Sequence, residues 1–192
     1  MTTRSSMMEK TRSELLAQAR VLFASKGFAG TALEELTADV GLTRGALYHH
    51  FGNKKGLFYA VVQQLDSEMD LRLRDIERSE TSPQQALLKR AETYLDMATE
   101  PEIQRIILRD AQSVLEPEQL EKAASGCVAS ITQLLSAIAP QQSPQAHKTS
   151  AQFINGGLTS LALWIANHQV PDQAVDDAKR TAYELLNRIM PA

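Results

Sequence analysis

The stretch LEELTADVGLTRGALYHHF, residues 33–51, decides how this chain is read. Leu36, Val40, Leu42 and Leu47 have the spacing that clamps two short helices across a turn at Gly41. Thr43 is placed to cap the second helix. Thr31 is placed to cap the first, with Glu34 three residues on completing a capping box. The pair forms a helix-turn-helix at about 32–51, whose second helix fits the major groove with its N-terminal residues toward base edges. Thr43 and Arg44 stand at that end, and arginine offers a planar donor fork suited to guanine or phosphate. Leu47 must face inward, which turns Tyr48 outward; Tyr48 and His49 are then placed to donate to phosphates. His50 falls nearer the core and reads as structural. Lys54 and Lys55 open the next helix, where free amides and positive charge favour a phosphate. For Lys55, phosphate contact and plain solvation weigh equally.

Outward from this motif the periodicity stays helical and no strand alternation interrupts it, so the fold class is all-α. The first helix runs over about 7–26, with Leu15, Ala19, Leu22 and Phe23 on one face and Gly27 as its stop. Asn53 caps a long helix reaching about Ser79, whose stripe is Phe58, Val61, Val62, Leu65, Met69, Leu73 and Ile76. Prolines then punctuate helices expected near 83–99, 102–113, 117–139, 144–168 and 172–189, about nine helices in all. The expected division is a helix-turn-helix DNA-binding domain at 1–56 and a helical effector-binding and dimerisation domain at 57–192.

The segment ARVLFASKGF at 19–28, Thr31, GLTRGALYHHF at 41–51 and NKKGLF at 53–58 together resemble the tetracycline-repressor (TetR) family of bacterial regulators. Order, spacing and residue type agree over about the first 60 residues. Thr37 departs from the pattern, since the family usually has alanine there. The resemblance implies a homodimer whose last two long helices form a four-helix bundle with the partner. It also implies a ligand cavity in the C-terminal domain, and usually repression. Carried over residue by residue, the contacts to double-stranded, palindromic operator DNA are Thr31, Thr43, Arg44, Tyr48, His49 and Lys54.

Composition narrows the alternatives. Residues 1–56 carry eight Lys/Arg against five Asp/Glu, a charge of +3, whereas residues 57–192 carry twelve against eighteen, or −6. A modestly basic front suits a chain that meets a polyanion at one end. The lone Cys127 excludes an intrachain disulfide and reads as a buried small hydrophobe. His147 and His168 have no neighbour at ligand spacing, so no metal site and no cofactor are expected. No apolar run approaches the ~20 residues of a membrane span. The N-terminus lacks a secretory signal, so a cytoplasmic location is expected.

Ile103, Ile106, Ile107, Asp110 and Val114 share a face at α-helical spacing, which sets a carboxylate on an apolar stripe. Asp110 is therefore either ion-paired, for instance to an arginine of another helix, or a polar anchor for an effector. Met97, Phe153 and Trp164 are the further pocket candidates, against a plainer reading as core. Gly156 and Gly157 within a helix suggest close helix approach at a dimer bundle. Candidates for that interface are Phe153, Leu158, Leu161, Val175, Tyr183, Leu186 and Ile189. The function expected is an effector-released repressor. The alternatives are a DNA-binding regulator controlled by a protein partner and a helical enzyme, the latter disfavoured by the lack of a catalytic constellation.

Overall fold

The computed structural model describes residues 4–38 and 43–190, and among these residues every regular element is helical. In chain order they are α1 (Arg4–Gly30), α2 (Glu35–Ala38), α3 (Arg44–Phe51), α4 (Lys54–Ser79), α5 (Pro83–Met97) and α6 (Pro101–Ile103). A π-helical segment (Gln104–Asp110), α7 (Ala111–Val114), α8 (Pro117–Ile138), α9 (Pro144–Asn167) and α10 (Pro171–Ile189) complete the chain. The expected turn at Gly41, with Val40 and Leu42, lies outside the described residues.

The first three helices pack on the start of α4 around one aromatic knot. Phe23, Phe28 and Phe58 meet at ring separations of 5.0–6.0 Å, two of the three contacts edge-on. Leu15, Ala19, Leu36, Leu47 and Leu57 are fully buried around them. Caps define the short elements. Thr43 accepts the N–H of Ala46 at 3.2 Å, and Asn53 accepts that of Gly56 at 2.8 Å. Gly56 is obligatory, because a Cβ there would collide with the carbonyl oxygen of Phe51. At the other chain end, α9 lies along α8 and α10, and α5 fills the space between α4, α8 and α10.

Two departures from the expected elements have clear causes. The Thr31–Glu34 capping box does not form. Gly27 leaves the α1 helix at φ 74°, and the Thr31 hydroxyl turns inward to donate to the freed Gly27 carbonyl at 2.7 Å. The cap passes one residue along, with Ala32 donating its N–H to Glu35 Oε2 at 3.2 Å. The helix expected at 102–113 contains the π winding of Gln104–Asp110 in its middle. In an α-helix, residues five apart lie about 140° apart around the axis. Winding with i→i+5 bonds brings them close to one face instead. Asp110 is thereby turned off the Ile103–Ile106–Ile107 stripe and set beside Arg105.

Candidate functional site

The outward face of α3 follows directly from its cap and its anchor. Leu47 is buried, so Arg44 and Tyr48, four residues apart, share the solvent side, and Tyr48 is 52% exposed. Thr43 and His49 are exposed on either side of them. Thr43 accepts the Ala46 N–H, which leaves its hydroxyl proton free to donate. The Arg44 guanidinium is held by Glu34, across from it at the start of α2. Lys54 stands at the first turn of α4 with its ammonium 4.4 Å from the centre of the Phe28 ring, and partial burial lowers its pKa. Lys55 is paired with Glu116 at 2.6 Å, and His50 is half-buried against Phe51. Of the six side chains expected on DNA, Thr31 is placed elsewhere: it is 2% exposed and supports the knot from inside.

The lower end of α1 is gripped by the π segment. Arg105 Nη2 donates to the Lys26 carbonyl at 3.0 Å, and the Phe28 N–H donates to Asp110 Oδ2 at 2.6 Å. Between them lies Gly27, where positive φ favours glycine and a Cβ would strike the Arg105 guanidinium. Higher on α1, Arg20 makes a bidentate bond to Glu102 at 2.7 and 2.8 Å and donates to Glu68 at 2.8 Å. Asp110 is thus the ion-paired alternative, its partner being Arg105 of its own segment at 3.5 Å and not an arginine of another helix, and it does not line the cavity. It is a clamp on α1.

The cavity lies deeper and is lined by none of the four expected side chains. Met97 is fully buried core, Phe153 is 77% exposed on the outside of α9, and Trp164 packs outside against His168. A space of about 410 Å³ opens instead between α4, α5, the π segment with α7, α8 and α9. Val62, Met69, Ile107, Leu108 and Leu163 form its apolar wall; Asp66, Tyr94, Asn155 and Thr159 are among its polar groups. The Tyr94 and Thr159 hydroxyls lie 3.5 Å apart. Desolvation pushes the Tyr94 phenol up to about 12 and the Cys127 thiol up to about 11, so both stay neutral. Asp66 has no hydrogen bond or ion pair among the described residues, and burial pushes its carboxyl up to about 7. The sequence carried one signal for it: Val62, Asp66 and Met69 stand at steps of four and three on the buried stripe of α4.

One turn along α4 the opposite solution occurs. Arg90 is 2% exposed, yet it bonds Glu77 and lies 3.5 Å from Asp70, while Ser130 donates to Glu77 at 2.8 Å. Arg74 closes the network on Asp70 at 2.7 Å. A buried charge satisfied this fully is structural.

The expected interface residues divide. Phe153, Tyr183 and Ile189 are exposed and Leu161 is half-buried, whereas Leu158, Val175 and Leu186 are buried within the chain itself. Phe153, Leu161, Leu185 and Ile189 border an apolar groove of about 290 Å³ along α9 and α10, whereas Tyr183 lines a separate cleft against α5. A Cβ on Gly156 or Gly157 would meet nothing within 4 Å, so neither glycine marks a close helix approach within the chain. Among the described residues no His/Cys/Asp/Glu group is arranged to hold a metal, and no helix is long and apolar enough to cross a membrane.

Comparison with known proteins gives two family matches. Residues 15–61 match the family described as bacterial regulatory proteins, tetR family. Residues 84–189 match the Tetracyclin repressor-like C-terminal domain. The solved structure of a TetR-family transcriptional regulator from Pectobacterium atrosepticum is 39% identical, covers 99% of this chain and 98% of its own, and superposes with a TM-score of 0.85. The transcriptional activator FasR of Mycolicibacterium smegmatis is 22% identical over 186 residues, 94% of this chain and 85% of that one. The transcriptional repressor AcnR of Corynebacterium glutamicum is 41% identical over 54 residues, 28% of this chain and 29% of its own.

Proposed function

We propose, because this chain belongs to the TetR family of bacterial transcription regulators, that it acts as a homodimer gripping a two-fold operator and releasing it on binding a small effector. The observation that carries the DNA-binding half is the outward face of α3. A buried Leu47 forces Arg44 and Tyr48 into solvent together, with Thr43 and His49 beside them and Lys54 at the next helix start. These five, not Thr31, are the proposed contacts. Arg44 must leave Glu34 to reach DNA, so the carboxylate acts as an internal competitor that raises the threshold for binding.

Residues 1–56 are proposed as the reading head and 57–192 as the effector and dimerisation part, with α4 running from one into the other. The exposed apolar strip of α9 and α10 supports the homodimer, since contiguous apolar surface of this kind marks an interface. The apolar cavity with a few polar groups supports the effector. Relatives include both an activator and a repressor; release by an effector favours repression here. Footprinting the purified protein on the intergenic DNA next to its gene tests the reading. Protection of a two-fold site, lost in Arg44→Ala, is expected; no protected site on that DNA would sink it.

A further inference from the structure

We infer that the cavity takes an apolar ligand bearing one positively charged nitrogen, with Asp66 as its counter-ion and the Tyr94–Thr159 hydroxyl pair as its hydrogen-bonding partner. This rests on the effector reading above and assigns the ligand its chemistry.

The charges around the cavity decide its sign. From α4 it is faced by Asp66, from α5 by Tyr94, and from α8 by Glu121 and Cys127. From α9 and α7 it is faced by the uncharged Asn155, Thr159, Ser160 and Gln112. Among the described residues no lysine, arginine or histidine lines it. The bases nearby are engaged: Arg90 and Arg74 by Asp70 and Glu77. Lys122 is exposed and borders a separate outer cleft of about 220 Å³ that also touches Asp66 and Asp70. It adds nothing to the titration of Asp66, whose rise comes from burial alone.

An anionic ligand would meet acids without a base, at a cost that a low-dielectric wall enlarges. A cation would meet a half-buried carboxylate that has given up part of its water and gained no partner in return. That imbalance, one turn from an Asp70 satisfied by two arginines, is the mark of a group kept open for something else. The aliphatic wall of Val62, Met69, Ile107, Leu108 and Leu163 asks for an apolar remainder. Gly156 on the cavity lining leaves room for it, since even a Cβ there would meet nothing within 4 Å.

The test uses three probes of one shape: 4-phenylbutylamine, 4-phenylbutanol and 4-phenylbutyrate, titrated calorimetrically into the full-length protein at pH 8. The amine is expected to bind about tenfold or more tightly than the alcohol, and the carboxylate most weakly. In Asp66→Asn the amine should fall to the level of the alcohol while the alcohol is unchanged. Gly156→Phe should remove binding of all three, placing them in the cavity. A second reading needs no variant. Below about pH 7 the Asp66 proton must be displaced, so amine affinity in the wild type should fall about tenfold per pH unit while alcohol affinity stays flat. Equal affinities for amine and alcohol, or a preference that survives Asp66→Asn, would overturn this inference and leave the effector reading standing. If none of the three binds the wild type at millimolar concentration, both are overturned.

Discussion

The outward faces of α3 and of α9–α10 are both exposed, yet one is built from hydroxyl, guanidinium and imidazole groups and the other from leucine, isoleucine and phenyl side chains. Exposure alone therefore says little about function; its chemistry does. The polar face is at ease in water and waits for a partner it recognises by hydrogen bonds and charge. The apolar face loses free energy for as long as it stays wet, by about 25 cal/mol for each Å². The first should bind reversibly and with strong salt dependence; the second should hold its partner through the working life of the protein.

The sharpest way to break this contrast is to make the second face resemble the first. Leu185→Glu with Ile189→Glu places two carboxylates on the groove and, across a two-fold axis, four. The proposed homodimer should weaken by on the order of 4 kcal/mol or more, enough for sedimentation to show a monomer at micromolar concentration. A persistent dimer would move the interface elsewhere.

Arg44→Ala comes next. Operator affinity should fall by about 1–3 kcal/mol if the guanidinium reads a base; if it meets a phosphate, the salt slope should fall by about one. The melting temperature should barely move, because the side chain is 58% exposed. Unchanged affinity together with an unchanged slope would show that Arg44 never leaves Glu34.

Glu34→Gln should do the smallest thing, with the opposite sign. Freed from its competitor, Arg44 should bind operator more tightly by less than about 1 kcal/mol, the ceiling for an exposed pair. Weaker binding would mean that Glu34 positions Arg44 for DNA.

The half-buried Asp66 carboxyl gives a reference inside the protein. The Asp66 pKa is raised in the folded state, so its contribution to stability is fully present below its unfolded value near 4 and is lost as pH rises through about 7. The unliganded protein should melt progressively lower across that window. Asp66→Asn should flatten the dependence, and an equally steep curve in the variant would assign it to other groups.

The reading head was legible because its signals are local. A threonine cap, an inward leucine and a glycine stop each act within a few residues, and Thr43, Leu47 and Gly27 take the roles their spacing announced. The Thr31 cap failed for a reason just as local, since the broken end of α1, four residues back, offered its hydroxyl a better acceptor. The cavity was not legible because five segments each lend it only a few side chains. Phe153 and Trp164 were chosen for being apolar, but which way an apolar residue on α9 faces depends on where α8 and α10 lie. Asp110 misled because an α-helical wheel was laid over a segment wound differently. Arg90 gave no sign of burial, since its partners Asp70, Glu77 and Ser130 come from two other helices.

The winding at Gln104–Asp110 makes this chain sensitive to how one short segment is wound. Rewound as an ordinary α-helix with all seven residues kept, the segment would set Arg105 and Asp110 about 140° apart around its axis. Arg105 and Asp110 would part, and the Lys26 carbonyl and the Phe28 N–H would each lose a partner. The same arithmetic governs hybrids. A DNA-reading front transplanted from a relative inherits this grip only if it brings a glycine at position 27 and is joined to a segment of unaltered winding. A splice that respects every helix boundary but winds this one as a plain α-helix yields a protein that has lost both of these bonds to the end of α1.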